Sequence, residues 1–557
     1  MVEISEEIEV YQVKHLPMVK AYADKIGLVE VINELVPTEM EVDAGTMVLG
    51  MVMDTLSGRS PLYRLEEFFE EQDTELLLGK AIPSKLFNDD NAGRVLDRIY
   101  ECGTIKVYTE CAVRASRVFD LDFRYVHSDT TSRSVYGEYE LEEDKKYPFK
   151  IGYGYSKQKR PDLKQFVIST MCVDRKVPIF GKNEDGEISD KGVNNTILTR
   201  ISGIMARYGV EVGSYIYISD CAMVTEENLE AMGENLFITR LPATYNECNR
   251  VIEEAVEKDS WEEIGVIAQT KPTKNRPGTF YKAYGSEVEL YGKVYRAIVV
   301  HSSANDKRKQ KRIEREKKES RKELEAEILK ETKKEYYCRK DAEVAAEKLQ
   351  TIGSEYHKVE VVIEERPKYP RGRPSQKKPR QIKEMRYALK AEIKEKEEII
   401  EKKQKEAGCF VLLSNVPKEG ELAHSEGDIL KAYKEQNGIE QNFSFLKDPV
   451  IVNSIFLKKP ERIEALGLVL LLSLLIWRLM ERSMRNYVNT TGTKLPGFDK
   501  KYTDKPTSFM MTTKFKGVTV IKVGFQRKLA RPLSPIQMKY LVALGVNTRY
   551  FIEPRAG

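Results

Sequence analysis

Two short apolar runs decide the fold, FRYVHSD at residues 123–129 and YIYISD at residues 215–220. Each run is rich in the β-branched and aromatic residues typical of strands, and each ends in an aspartate. Between them the pattern predicts two more strands and then a helix, in QFVISTMCVD, VPIFGK and NNTILTRISGIMARYG. This order indicates an α/β fold in which Asp129 and Asp220 lie at strand ends.

The sequence before this region predicts a helical N-terminal domain over residues 1–118. Apolar residues recur at spacings of three and four in VKAYADKIGLVEVINELV. Ser60 and Pro61 are a typical N-cap and first position of a further helix, and Gly103 is a typical helix end. Whether this domain binds DNA stays open at this point.

The sequence after it divides into four parts. Residues 119–235 and 419–490 are predicted to form the two parts of one α/β core. Residues 236–418 read as an insertion domain of strands and charged helices, with one such helix predicted over 381–406. Residues 491–557 are a mixed C-terminal tail that contains a last helix.

The insertion contains a basic run, RPKYPRGRPSQKKPR, with seven basic residues and no acid between residues 366 and 380. Its centre, RGRP, resembles the core of an AT-hook. Glycine lets such a backbone lie deep in the minor groove, and the arginines follow its negative potential. We therefore predict that Arg371 and Arg373 bind DNA; the alternative is a solvated basic linker.

Composition excludes several classes of protein. With 557 residues, 41% of them hydrophobic, and a net charge of +4, the chain is neither a small module nor wholly disordered. Its longest apolar run, Ala465–Trp477, is shorter than a bilayer span, so no membrane partner is expected. Seven cysteines without a CxxC pair and five scattered histidines indicate a reducing compartment and argue against a zinc site. A metal would then have oxygen ligands.

One predicted helix, DILKAYKEQNGIEQNFSFLKD at residues 428–448, carries several polar residues on one face. At about 100° per residue, four side chains fall within roughly 60° of one another: Tyr433, Gln436, Glu440 and Lys447. The alternative is an ordinary solvated face. Three nearby carboxylates are rival ligands: Glu426, Asp428 and Glu435.

Together, Asp129, Asp220 and Glu440 form a possible set of three carboxylates. Each strand-end aspartate taken alone is also typical of a turn or an N-cap. As a set, however, they suit two Mg²⁺ ions, because hard cations prefer oxygen and each takes only one or two protein carboxylates. Such a metal pair supports in-line displacement at a phosphodiester.

The order Asp, Asp, Tyr-x2-[Arg]-x3-Glu-x6-Lys resembles the DDE transposases of bacterial insertion sequences, in the branch marked by the YREK signature. Gln436 stands where that branch commonly has arginine. The segment GYGYSKQKRPDLKQF at residues 152–166 and the long insertion after Asp220 also resemble that family. The resemblance covers about residues 120–490 and implies an RNase H-like catalytic core interrupted by an insertion domain.

The resemblance also implies roles. It assigns catalysis and the binding of Mg²⁺, for which Mn²⁺ can substitute, to Asp129, Asp220 and Glu440. It assigns contacts with the DNA backbone to Tyr433, Gln436 and Lys447.

The implied function is a transposase that binds the terminal inverted repeats of a mobile element and cleaves DNA by metal-dependent hydrolysis. It then transfers the 3′-OH ends to target DNA. The implied state is a homo-oligomer on DNA in the bacterial cytoplasm, associated with the nucleoid. Two alternatives remain: an RNase H-like metal nuclease without strand transfer, and a non-catalytic DNA-binding protein from a decayed element.

Overall fold

The computed structural model describes residues 8–58, 64–135, 139, 146–157, 160–267, 277–371, 381–448, 457–498 and 501–555. The protein is mixed α/β, with 48% helix and 22% strand, as the sequence predicts. Its contacts divide the chain into two units. The first comprises residues 1–239, 415–423 and 431–557, and the second comprises residues 240–414 and 424–430.

The N-terminal region is helical, as the spacing of its apolar residues predicts, apart from one short strand. Its elements are β1 (Ile8–Tyr11), α1 (Leu16–Lys25), α2 (Leu28–Leu35), α3 (Ala44–Leu56), α4 (Leu65–Glu70), α5 (Thr74–Leu78), α6 (Asp89–Cys102) and α7 (Thr104–Phe119). Gly27, with a φ of +61°, separates α1 from α2. Gly103 ends α6 as predicted. The helix start predicted at Ser60 and Pro61 lies outside the described residues.

The next region of the chain contributes five strands to a large mixed sheet. The elements of this region are β2 (Tyr125–Ser134), β3 (Gln165–Val173), β4 (Val177–Glu184), α8 (Asp190–Leu198), α9 (Ile201–Arg207), β5 (Ile216–Ile218), α10 (Glu226–Ala231) and β6 (Leu236–Leu241). The strand order is β4-β3-β2-β5-β6. Strand β3 is antiparallel to both β4 and β2, and β5 and β6 run parallel to β2. This is the strand order of an RNase H-like sheet.

The second unit combines two sets of paired strands with charged helices. Its elements are α11 (Asn246–Lys258), β7 (Glu262–Val266), β8 (Phe280–Leu290), β9 (Lys293–Ser302), α12 (Ser303–Thr332), β10 (Glu335–Tyr336), α13 (Arg339–Thr351), β11 (His357–Lys368), β12 (Glu384–Glu395), α14 (Glu397–Lys405) and β13 (Cys409–Ser414). Strands β13, β9, β8 and β7 form one antiparallel run, and β10, β12 and β11 form the other sheet. Apolar residues of α12, α13, β11 and β12 form a shared core.

The helix predicted over residues 381–406 is wrong over its first half, where β12 pairs with β11 along its whole length. The apolar residues of β12 recur at every second position: Met385, Tyr387, Leu389, Ala391 and Ile393. Four of the five lie opposite apolar residues on β11, for example Ile393 opposite Val359, whereas Tyr387 lies opposite Glu365. This alternation, together with a partner strand, outweighs the helical tendency of the interleaved lysines and glutamates.

The chain ends in the first unit around a long apolar helix. The remaining elements are α15 (Glu426–Lys434), α16 (Asn437–Lys447), α17 (Pro460–Thr491), β14 (Leu495–Pro496), β15 (Tyr502–Thr503), α18 (Ser508–Phe515), β16 (Val520–Val523), β17 (Gln526–Leu529) and α19 (Pro535–Leu544). Helix α17 packs against β4, α3, α6, α7 and α19. By length and composition it could cross a membrane, but 94% of its most apolar stretch is buried inside the protein.

Candidate active site

The register of two adjacent parallel strands brings Asp129 and Asp220 together. Along β2 and β5, His127 lies opposite Ile218. Two residues further along each chain, Asp129 and Asp220 therefore come to the same level. Neighbouring strands lie about 4.8 Å apart, so the two carboxylates are neighbours. Asp220 follows the end of β5 as predicted, but the prediction that Asp129 ends its strand is wrong, because β2 stays paired with β3 as far as Ser134.

Both carboxylates are in surroundings that disfavour their negative charge. Burial raises the pKa of Asp129 to about 7; Asp220 and Asp190 raise it further, whereas Lys157 opposes the shift. Burial also raises the pKa of Asp220, and the Asp190 carboxylate adds to this. A cation bound between the two aspartates would stabilise their negative charges and so lower both pKa values.

A third carboxylate and a lysine complete this cluster, and the sequence analysis assigned a role to neither. Asp190 lies at the start of α8 and accepts a hydrogen bond from the Thr130 hydroxyl. The Lys157 ammonium donates to the Thr130 carbonyl oxygen at 2.9 Å and to Asp190 Oδ1 at 3.1 Å. The sequence contains two features that could have pointed to these residues. Lys157 lies in the GYGYSKQKRPDLKQF segment, and Asp190 follows Ser189, a typical helix N-cap.

The segment that contains Tyr433, Gln436, Glu440 and Lys447 forms two helices, so the prediction of one helix over 428–448 is wrong. Helix α15 ends at Lys434 and α16 begins at Asn437. A Cβ at Gly438 would collide with the carbonyl oxygen of Arg175, so only glycine allows the β3–β4 turn to approach this closely. The shared-face geometry therefore holds within α16, for Glu440 and Lys447, and not across the break to Tyr433.

Helix α16 is fixed against β2, β3 and α17 by buried hydrogen bonds. The Asn442 amide donates to Cys172 Sγ at 3.1 Å and accepts a bond from Arg478 Nε at 2.6 Å. Near the end of the helix, Arg133 of β2 donates to the Leu446 carbonyl oxygen at 3.2 Å. The helix therefore runs alongside β2 in the same direction as that strand.

Lys447 lies next to the aspartate cluster. It is half-buried, and burial lowers its pKa; Lys157 and Arg133 lower it further, whereas Asp129 opposes the shift. These interactions place the Lys447 ammonium within electrostatic reach of both Asp129 and Lys157. An anion that approaches Asp129 would therefore meet two ammonium groups.

Glu440 is not brought into this cluster. Its side chain is exposed. Asn442 contacts Cys172 of β3, and Cys172 lies opposite His127 of β2. The first turns of α16 are therefore level with the part of β2 that precedes Asp129. Among the described residues, no group of three or more His, Cys, Asp or Glu side chains could hold a metal ion. The role of Glu440 stays a prediction.

The other predicted site residues lie in varied surroundings. Tyr433 and Gln436 are half-buried. The rival carboxylates have local partners: Glu435 pairs with Arg175, Glu426 with Arg296, and Asp428 accepts a hydrogen bond from Ser425. Arg371 is exposed, and Arg373 lies outside the described residues.

Comparison with known families gives a match in the N-terminal region. Residues 8–113 match the family described as a domain of unknown function, DUF4277. This domain is found in transposase-like proteins. The matched residues include none of the aspartate cluster. A search of curated proteins finds no match to the chain.

Proposed function

We propose that this chain is a DNA transposase of the DDE type. It would bind the ends of a mobile element as a homo-oligomer in the bacterial cytoplasm, hydrolyse one DNA strand at each end and transfer the 3′-OH ends to target DNA. The observation that carries this proposal is the shared level of Asp129 and Asp220 on adjacent parallel strands.

The donor set fits a hard divalent cation. Asp129 and Asp220 offer only oxygen atoms, and Mg²⁺ is commonly held by one or two carboxylates, with water and substrate phosphate completing its shell. When bound, Mg²⁺ would lower the pKa of the attacking water and stabilise the charge that develops on the phosphoryl oxygens. Mn²⁺ has the same preference for oxygen ligands.

The protein's own residues would supply the rest of the chemistry. Asp129 and Asp220 hold their carboxylates at a fixed separation, because each belongs to or directly follows a strand of the same sheet. Lys447, with its ammonium near Asp129, would bind a DNA phosphate beside the cut. Glu440, Tyr433 and Gln436 are proposed to join the site when DNA binds.

One observation favours a second candidate. Glu440 is exposed, and among the described residues it completes no metal-holding group with the two aspartates, as expected for a non-catalytic DNA-binding protein from a decayed element. The two candidates differ in one measurable property, which is metal-dependent cleavage.

The test uses a plasmid that carries this gene with the genomic DNA that flanks it on both sides. Purified protein is incubated with the plasmid, Mg²⁺ and a second target plasmid, and both the new 3′ ends and the joined products are sequenced. Asp129→Asn, Asp220→Asn and Glu440→Gln should each reduce cleavage to background, since the amide keeps the size and removes the charge. Asp162→Asn, which changes an exposed aspartate paired with Arg160, is the matched control.

The outcomes separate the candidates. Cleavage at the element ends with joining to the target supports the transposase, provided that only the control variant keeps it. Cleavage without joining identifies a nuclease. DNA binding without any Mg²⁺-dependent cleavage by the unaltered protein overturns the proposal in favour of the non-catalytic candidate.

A further inference from the structure

We infer that Lys157 is the ammonium group that binds the scissile DNA phosphate, and that Asp190 is the residue that positions it. This inference rests on the proposed function, because it names a further residue for that reaction. It arises from the contacts of Lys157 with Thr130 and Asp190, beside the Asp129–Asp220 pair.

The ammonium of Lys157 points into the aspartate cluster. It donates to both the hydroxyl and the carbonyl oxygen of Thr130, at 2.8 and 2.9 Å, and to Asp190 at 3.1 Å. Thr130 directly follows Asp129 in β2, so the lysine lies immediately beside the first aspartate. Its side chain is 29% exposed, which leaves one side of the group open to an incoming ligand.

The backbone that presents Lys157 is held in place. Its N–H donates to the Ser132 hydroxyl at 2.9 Å. Gly152 exchanges backbone hydrogen bonds with Gln165 of β3. A Cβ at Gly154 would collide with the Gly186 carbonyl oxygen, so the segment lies flush against that loop. The lysine is therefore oriented before any substrate arrives, and less side-chain entropy is lost when it binds one.

A phosphate that binds beside this cluster needs positive charge, which Lys157 supplies. Asp129, Asp190 and Asp220 bring three carboxylates together, and a DNA phosphate adds another negative charge. Lys157 can exchange its bond to the neutral Thr130 carbonyl for one to a phosphate oxygen, which is charge-assisted and roughly twice as strong. Asp190 keeps the other side of the ammonium in place during this exchange.

The first experiment measures binding without chemistry. A fluorescein-labelled duplex from the flanking DNA is titrated with protein in Ca²⁺ at a series of salt concentrations. Lys157→Met should flatten the slope of log K against log salt by about 0.9, the value for one lost phosphate contact. Lys191→Met is the matched control, since Lys191 is an exposed lysine next to Asp190 and should leave the slope unchanged. An unchanged slope for Lys157→Met, or an equal loss in both variants, overturns the inference.

The second experiment measures cleavage at saturating DNA. Lys157→Met should lower the rate by about 10²–10³, as the loss of one charge-stabilising donor does elsewhere. Lys157→Arg should recover part of it, because the charge remains. Asp190→Asn should act through the lysine, so combining it with Lys157→Met should cause no further loss. An additive loss, or a changed Mg²⁺ requirement in Asp190→Asn, would make Asp190 a metal ligand and contradict its positioning role.

The two experiments separate this inference from the proposed function. If the unaltered protein does not cleave but Lys157→Met still flattens the salt slope, the transposase proposal fails and the phosphate contact stands. If the unaltered protein cleaves and Lys157→Met changes neither the slope nor the rate, the inference fails and the proposed function stands.

Discussion

At the scale of single residues, Asp129 carries a charge that the folded protein disfavours. Burial raises its pKa from 3.8 to about 7, so the folded carboxyl binds its proton more tightly than the unfolded one does. Its contribution to the free energy of unfolding is therefore most favourable at acid pH. It is lost as the pH rises from about 4 to about 7.

The amide variant should remove this loss. In buffer without divalent cations, Asp129→Asn should unfold at a higher temperature than the unaltered protein at pH 8, with a smaller difference at pH 5. A tenfold change in proton affinity corresponds to about 1.4 kcal/mol, so the gain in stability at pH 8 is on the order of a few kcal/mol. Thermal unfolding between pH 4 and pH 8 measures it.

Asp162 provides a control of opposite sign. The adjacent Arg160 holds the pKa of Asp162 below its ordinary value, so Asp162→Asn should give no stabilisation as the pH rises. Equal unfolding temperatures for Asp129→Asn and the unaltered protein at every pH would contradict the burial of that charge.

At the scale of elements, the position of α16 depends on one buried arginine of α17. Arg478 donates to Asn442 Oδ1 and to the Gln441 carbonyl oxygen of α16, and to Glu481 on its own helix. Lys176 of the β3–β4 turn also pairs with Glu481. These bonds join α16, α17 and the sheet, and so they hold Lys447 beside β2.

Removal of this arginine should destabilise the protein. Arg478→Met leaves the buried Asn442 oxygen and the Gln441 carbonyl without the bonds that Arg478 donates to them, and each buried acceptor left without its partner costs about 1–3 kcal/mol. We expect the unfolding temperature to fall by roughly 5 °C or more. Differential scanning calorimetry checks this value.

The matched control is Arg549→Met. Arg549 is 65% exposed and pairs with Glu553 within one helical turn, so its loss should shift the unfolding temperature by at most about 1 °C. Asn442→Ala combined with Arg478→Met should cost less than the sum of the two single changes, because both remove the same bond. Additive losses would show that Arg478 acts elsewhere.

At the scale of the whole molecule, the basic run lies in the second unit, whereas the aspartate cluster lies in the first. Among the residues of the run that the structure describes, two basic side chains are paired with acids. Arg366 contacts Glu364 at 3.0 Å, and Lys368 contacts Glu335 at 2.5 Å. Arg371, the last described residue of the run, is exposed. Because Arg366 and Lys368 are paired with acids, we expect the RGRP segment to make the DNA contacts.

Loss of both arginines of this segment should weaken DNA binding without slowing the chemistry. Arg371→Ala with Arg373→Ala should flatten the slope of log K against log salt by up to about 2, since each phosphate contact contributes about 0.9. The cleavage rate at saturating DNA should be unchanged. Fluorescence anisotropy and 3′-end mapping measure the two quantities.

Lys368→Ala is the control for this prediction. Lys368 already forms an ion pair with Glu335, so its loss should leave the salt slope unchanged. The solvated-linker alternative expects an unchanged slope in the double variant. A lower cleavage rate at saturation would mean that the segment contributes to the active site, which contradicts the separation of affinity from chemistry.

Features with a local cause could be predicted from the sequence. Ser534 caps α19 and Gly545 ends it, because a side-chain oxygen and a left-handed glycine act within a few residues. The strands that lead to Asp129 and Asp220 follow from their own apolar composition. Strand β12 was missed because its alternating apolar residues have meaning only once β11 lies beside them.

The sequence by itself therefore determined the α/β class and the strands that lead to Asp129 and Asp220, and it predicted residues that could act on a phosphodiester. Only the tertiary structure decided that Asp129 and Asp220 share a level, and that Lys157 meets Asp190, 33 residues further along the chain. It also decided that Arg175 requires the glycine at position 438 and that the Glu440 side chain is exposed. The reason is physical. Composition and spacing act within one element, whereas these contacts depend on strand register and helix packing between distant parts of the chain.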